Sequence, residues 1–80
     1  MLPLTKPRPR AHQRLYDLLD EGPAHVFVIY EAVRGRQYFG GSATKCMRNI
    51  GSLVRRFNAR SQDCMVVPGP TVHTYRLYRG

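Results

Sequence analysis

The sequence has few acidic residues, only two cysteines and no long apolar run. Five Asp and Glu stand against thirteen Lys and Arg, giving a formal charge of +8 and an isoelectric point of about 10.4. Cys46 and Cys64 form no CxxC pair and have no histidine at zinc-site spacing, which argues against zinc. No segment approaches the ~20 apolar residues of a membrane span. The first ten residues also lack a signal peptide's apolar core. We therefore expect reduced thiols, no membrane and a cytoplasmic location.

The excess of positive charge predicts a polyanionic partner. A cationic surface attracts phosphate without regard to base sequence, so nucleic acid is the first expectation. Charge does not distinguish DNA from RNA, and we take DNA as the first choice. An acidic protein surface is the alternative that charge leaves open. The 80 residues form one domain with a small core, and at this size association into a homo-oligomer is a reasonable source of stability.

The chain is predicted to begin with a basic arm and to continue as a single domain. Residues 1–9 alternate prolines with Lys6 and Arg8, a composition typical of an extended, flexible arm. Residues 10–80 form the domain. Its first element is an amphipathic helix over residues 10–21, which Gly22 and Pro23 end.

Residues 25–33 (HVFVIYEAV) are almost entirely β-branched, aromatic or otherwise apolar, which predicts a strand. Residues 34–36 break this run and residues 37–39 resume it, so the two runs predict a β-hairpin. Gly40 and Gly41 then allow a sharp turn or the close approach of a ligand.

A helix is predicted from Thr44 to Arg60, with Ser42 or Thr44 as its N-cap. At 100° per residue its side chains divide into an apolar stripe and a polar, mostly cationic one. The apolar stripe contains Cys46, Met47, Ile50, Leu53, Val54 and Phe57. The cationic stripe contains Lys45, Arg48, Ser52, Arg55, Arg56 and Arg60.

The last third of the chain predicts a rigid turn and a closing strand. Residues 64–67 are a short apolar run, residues 68–70 (PGP) a turn, and residues 71–78 alternate well enough to be a strand, with Tyr75 and Leu77 on one side. The predicted fold is therefore α+β. It has a small three-stranded, mainly antiparallel sheet, an N-terminal helix that covers the sheet, and a central basic amphipathic helix.

The stretch from residue 25 to residue 60 resembles the GIY-YIG nucleases. His25-Val26-Phe27 stand where the family has its first triplet, Tyr38-Phe39-Gly40 stand at the second, and Ser42 follows as a small hydroxyl residue. Arg48 falls at the position of the family's catalytic arginine. The resemblance implies Tyr38 and Arg48 as catalytic residues, with Mg²⁺ as cofactor if the protein is active. It also suggests a phage or mobile-element origin, and hence the host cytoplasm.

Several positions depart from the family pattern. Phe27 lacks the hydroxyl of the first-triplet tyrosine, and Ser52 stands where many members have histidine. The family's metal-binding glutamate follows the third strand, yet no acidic residue follows Asp63 here. The substitute carboxylates are Asp17, Asp20, Glu21, Glu31 and Asp63, and spacing selects none of them.

We therefore expect a degenerate nuclease-like scaffold that binds nucleic acid. The binding residues would be Lys45, Arg48, Arg55, Arg56 and Arg60, together with Gly40, Gly41 and Ser42. Two alternatives stay open: an active metal-dependent endonuclease, and an inhibitor that docks on a nucleic-acid enzyme.

Overall fold

The structure is a computed structural model that describes residues 8–35 and 43–79. It contains three helices and a three-stranded antiparallel sheet, so the predicted α+β class is confirmed. The elements in chain order are α1 (Arg10–Glu21), β1 (Ala24–His25), α2 (Val26–Arg34), α3 (Ala43–Arg60), β2 (Met65–Pro68) and β3 (Thr74–Tyr78). No helix within the described residues is long and apolar enough to cross a membrane.

The strand predicted over residues 25–33 is wrong, because residues 26–33 lie in α2 and His25 alone belongs to a strand, β1. Val26, Ile29 and Val33 are buried at helical spacing and face the core together. His25 caps the helix by accepting a hydrogen bond from the Phe27 amide at 3.1 Å. Gly35 ends it in the left-handed conformation, with φ of 71°, and donates to the Glu31 carbonyl. Local capping and core packing therefore outweigh the β propensity of the apolar run.

The predicted hairpin fails with that strand. Residues 37–39, its second half, lie outside the described residues. The first strand of the sheet is the two-residue β1, and the sheet order is β1-β3-β2. The predicted closing strand is confirmed as β3, which lies at the centre and pairs with both neighbours. The apolar run at residues 64–67 contributes most of β2.

The two predicted helices are confirmed. The first has the predicted bounds and packs against α2 and β3, which is the covering role expected of it. α3 packs its apolar stripe against α2 and β2. The helices and the inner side of the sheet enclose one core. Its buried residues are Leu15, Leu19, Val26, Ile29, Val33, Ile50, Leu53, Val54, Phe57 and Val66.

The hairpin of β2 and β3 is held by its turn and by α3. The Gly69 amide donates to the Thr74 carbonyl at 2.8 Å, and the Thr74 hydroxyl donates to the Thr71 carbonyl at 2.6 Å. On the other side of β2, the Asn58 side chain of α3 donates to the Val66 carbonyl and accepts from the Val66 amide, at 2.9 and 2.8 Å. These paired bonds fix the distance between α3 and the hairpin.

Candidate nucleic-acid interface

The candidate interface is the exposed side of α3, and its orientation follows from the side that is buried. Ile50, Leu53 and Phe57 are at most 2% exposed, and they hold one side of the helix in the core. The side chains on the opposite side of the helix then face solvent, because the direction of the side chains repeats every 3.6 residues. We call this exposed side the cationic face; it consists of Lys45, Arg48, Ser52, Arg55, Arg56 and Arg60.

The five cations of the cationic face are exposed, and Ser52 is half-buried among them. Ser52 organises two of its neighbours: the Arg55 guanidinium donates to its hydroxyl at 3.2 Å, and the Arg56 Nε donates to its carbonyl at 3.4 Å. Ser52 therefore positions guanidinium groups, a role that is distinct from the proton transfer of a histidine at the same place.

Four arginines of the cationic face keep their charge available. In the part of the chain that the structure describes, Arg48, Arg55, Arg56 and Arg60 form no ion pair with a carboxylate. Two described carboxylates pair with arginines that lie outside the cationic face. Asp20 accepts from Arg79, and Asp63 lies 3.5 Å from Arg8. These four arginines therefore make the field at this surface of α3 positive.

One cation that the sequence placed in a hairpin loop belongs beside this face. Arg34 ends α2, and its Nε donates to Oδ1 of Asn49 on α3 at 3.1 Å. The amide fixes the guanidinium without neutralising it. A basic residue followed by glycine is the usual end of a helix, and that signal identifies Arg34 once residues 25–34 are recognised as helical.

Of the predicted catalytic residues, Phe27, Arg48 and Ser52 lie in the described part of the chain, the last two one turn apart on α3. Tyr38, Gly40, Gly41 and Ser42 lie outside the described residues. Phe27 is half-buried in the first turn of α2, where its ring lies 4.9 Å from that of His25. Arg48 is exposed on α3. The catalytic roles of Tyr38 and Arg48 remain predictions.

The candidate carboxylates form no metal centre within residues 8–35 and 43–79. No group of three His, Cys, Asp or Glu in those ranges is arranged to hold a metal ion. Among these carboxylates, Asp17 accepts from Gln13 at 2.8 Å and Asp63 accepts from Ser61 at 3.3 Å. Arginine hydrogen bonding is thus the chemistry that the described site offers.

Both thiols are free, as predicted from the sequence. Cys46 is buried in the core side of α3, and burial raises the pKa of its thiol. Cys64 lies 3.3 Å from the Ser61 hydroxyl.

No protein-family model, no curated protein and no solved structure matches this chain.

Proposed function

We propose that the protein binds nucleic acid, DNA in preference to RNA, through the cationic face of α3. The observation that carries the proposal is the set of four arginines that pair with no carboxylate among the described residues, Arg48, Arg55, Arg56 and Arg60. Arg48 and Arg60 are twelve residues apart, which is about 18 Å along the helix. Cations spread over this length contact several phosphates at once, and each neutralised phosphate releases condensed counterion.

The order of the elements supports a helix-based mode of binding. Two consecutive helices, α2 and α3, pack together and precede a β-hairpin, and the strand between the first two helices joins the same sheet. This arrangement resembles that of winged helix-turn-helix domains. In those domains the second helix of the helix-turn-helix pair, the counterpart of α3 here, enters the major groove. The likeness is an analogy of fold alone. The likeness does not extend to the connection: eight residues separate α2 from α3, whereas the turn of a helix-turn-helix motif usually has 3–4 residues.

A helix of these dimensions fits the major groove of B-form DNA. The groove is about 12 Å wide and admits an α-helix, whereas the major groove of A-form RNA is too narrow for side chains to read. With the cationic face toward the duplex, its guanidinium groups act as forked donors to phosphate oxygens. This difference between the grooves is the reason that DNA is preferred.

The test is fluorescence anisotropy of a labelled DNA duplex, measured at several salt concentrations. If four arginines contact phosphates, log K against log[salt] has a slope of about −3.6. Arg48→Gln and Arg55→Gln each weaken binding and reduce the steepness of the slope by roughly one.

Arg76→Gln is the matched control, because it removes the same charge from an exposed position on β3, outside the cationic face. It leaves the slope unchanged. Equal effects of all three substitutions would show a response to net charge alone and would reject the cationic face as the interface. An affinity that hardly changes with salt would point to an acidic protein as the partner.

A further inference from the structure

A cleft of about 440 Å³ opens beside the cationic face. It lies between the first turn of α1, the last residue of α2 and the C-terminal half of α3. Cavities of roughly 300–1,000 Å³ commonly hold small organic ligands, so the cleft has the volume of a ligand site. Two of its residues, Arg56 and Arg60, also belong to the cationic face.

The lining of the cleft has an apolar part and a cationic part. The apolar part consists of Pro9, Ala11, Leu53 and Ala59. The cationic part consists of Arg34, Arg56 and Arg60. No Asp or Glu is among the lining residues that the structure describes. A ligand that suits both parts has an apolar, flat body and an anionic group that carries more than one negative charge.

Two of the guanidinium groups are already held in position. Arg34 donates to Asn49 Oδ1 at 3.1 Å, and Arg56 donates to the Ser52 carbonyl at 3.4 Å. Neither contact supplies a negative charge. Arginines fixed in this way lose less side-chain freedom when they bind an anion, and their planar forks suit phosphate oxygens.

His12 provides a polar group beside the apolar part of the cleft. Its residue is only 7% exposed, and its ring lies 5.9 Å from that of Phe57. Within the described residues the imidazole makes no hydrogen bond, and neither of its ring nitrogens is completely buried. The nitrogens therefore keep some access to the cleft that His12 lines, where they can bond to the edge of a heterocycle.

We propose that this cleft binds a nucleotide, with the base against Leu53 and Ala59 and the phosphate between Arg34, Arg56 and Arg60. The same chemistry is presented by a free mononucleotide and by the phosphorylated end of a nucleic-acid strand. The site goes beyond the proposed function, since it binds a mononucleotide in the absence of a duplex, although it shares Arg56 and Arg60 with the cationic face.

The test is a titration of the ¹⁵N-labelled protein followed by ¹H–¹⁵N correlation spectra. The ligands are adenosine 5′-monophosphate, adenosine and inorganic phosphate. We expect the mononucleotide to shift the amides around Ala11, Arg34 and Ala59, and to bind at least about fivefold more tightly than either fragment. Fivefold corresponds to about 1 kcal/mol, which is expected when the base removes roughly 40 Å² of apolar surface from water.

Ala59→Leu is the decisive variant, because it fills the cleft without changing the charge. Ala59 is exposed on a helix, so leucine is compatible with folding there. Its matched control is Ala32→Leu, an exposed helical position outside the cleft lining. Ala59→Leu weakens mononucleotide binding at least about fivefold and leaves phosphate binding unchanged, whereas Ala32→Leu changes neither. Arg34→Gln weakens the binding of both phosphate-bearing ligands.

A second experiment distinguishes the two sources of the nucleotide. A single-stranded oligonucleotide with a 5′-phosphate is compared with the same strand without it. If the phosphorylated strand displaces the mononucleotide at a lower concentration than the unphosphorylated strand does, the ligand is a strand end. If both strands compete poorly, the ligand is a free nucleotide.

Two outcomes would overturn the cleft as a nucleotide site. One is a mononucleotide that binds no more tightly than inorganic phosphate. The other is an Ala59→Leu protein that binds it as well as the Ala32→Leu protein. Neither affects the duplex measurement, so failure of the cleft and failure of the cationic face are separately visible.

Discussion

The imidazole of His12 packs against the ring of Phe57, with centroids 5.9 Å apart and planes inclined by 57°. This contact joins α1 to α3 and brings a titratable group close to cations. Burial lowers the pKa of His12 most, and the positive charges of Arg60 and Arg56 lower it further. Arg34 faces the same cleft from α2.

Stability is therefore expected to decrease as the pH falls below neutrality. The pKa of His12 is lower in the folded chain than the ordinary value of about 6.5, so the unfolded chain binds more protons between the two values. The stabilising contribution of neutral His12 is complete above pH 6.5 and is lost as the pH falls toward the folded pKa. Urea denaturation at pH 5.5 and 7.5 measures this loss.

The variant His12→Gln reduces the pH dependence of the free energy of unfolding. His73→Asn, at an exposed histidine, is the control and leaves the part of that dependence due to His12 intact. Equal pH dependence in the wild type and His12→Gln would contradict the assignment to His12.

The side chain of Asn58 is expected to contribute strongly to stability. Asn58→Ala removes two hydrogen bonds to Val66 and leaves its backbone groups without those partners, at a cost of about 1–3 kcal/mol. Asn49→Ala is the control: it makes the same change on the same helix and gains the same helix propensity, but the bonds that it removes, those from Arg34, are exposed to solvent. The difference between the two free energies of unfolding measures how much more the bonds to β2 contribute than these exposed bonds do. Equal values would mean that the bonds to β2 contribute no more than the exposed ones.

Two glycines are expected to respond to alanine with opposite signs. A Cβ on Gly69 would lie 2.4 Å from the Thr74 hydroxyl oxygen and 3.1 Å from the Thr74 carbonyl carbon. Relief of that overlap must shift the turn, so Gly69→Ala destabilises the protein by about 1–3 kcal/mol. Gly51 lies inside α3 and a Cβ there meets only the end of the Arg55 side chain at 3.9 Å. Gly51→Ala therefore stabilises by up to about 1 kcal/mol. Thermal unfolding of both variants tests this pair, and a loss of stability in Gly51→Ala would show that the helix needs glycine for a reason other than propensity.

The protein is expected to bind DNA without cutting it. In terms of the resemblance to GIY-YIG nucleases, Phe27 lacks the hydroxyl and Ser52 cannot act as an imidazole base. Losing such groups removes several orders of magnitude in rate, each tenfold being about 1.4 kcal/mol of barrier. Labelled DNA and RNA, single- and double-stranded, should stay intact with Mg²⁺, Mn²⁺ or chelator, while Arg48→Ala weakens binding. Metal-dependent cleavage that disappears in Arg48→Ala and Tyr38→Phe would establish the endonuclease instead.

Periodicity predicted α1, α3 and β3 because each has a single interpretation. In α3, the stripe from Cys46 to Phe57 fits a helix and no strand, and its outward cations follow from the same spacing. The candidate interface was therefore accessible from the sequence. Arg34 was not, since its place beside Asn49 depends on the fold of the segment before it.

Residues 25–33 show where sequence pattern is insufficient. A nine-residue run that is nearly all apolar fits both the 3.6-residue period of a helix and the two-residue period of a strand. Its β-branched residues favour the strand. Two local groups identify the helix in the structure: the His25 imidazole at its first turn and Gly35 in the left-handed conformation at its end. Each of these signals consists of a single residue, and a glycine such as Gly35 is equally typical of a hairpin loop. Core contacts of Val26, Ile29 and Val33 determine the outcome, and these contacts are tertiary.

The hydrogen bonds between Asn58 and Val66 also hinder the pairing of β2 with a strand of another copy of the chain. β2 is an edge of the sheet, and an edge strand normally presents free N–H and C=O groups on which another chain can extend the sheet. The Asn58 amide occupies both groups of Val66 and takes the place of a neighbouring strand for one residue. Strand addition at that point would require the side chain to leave first. A hydrogen-bonded side chain from a helix thereby interrupts the template that drives edge-to-edge aggregation.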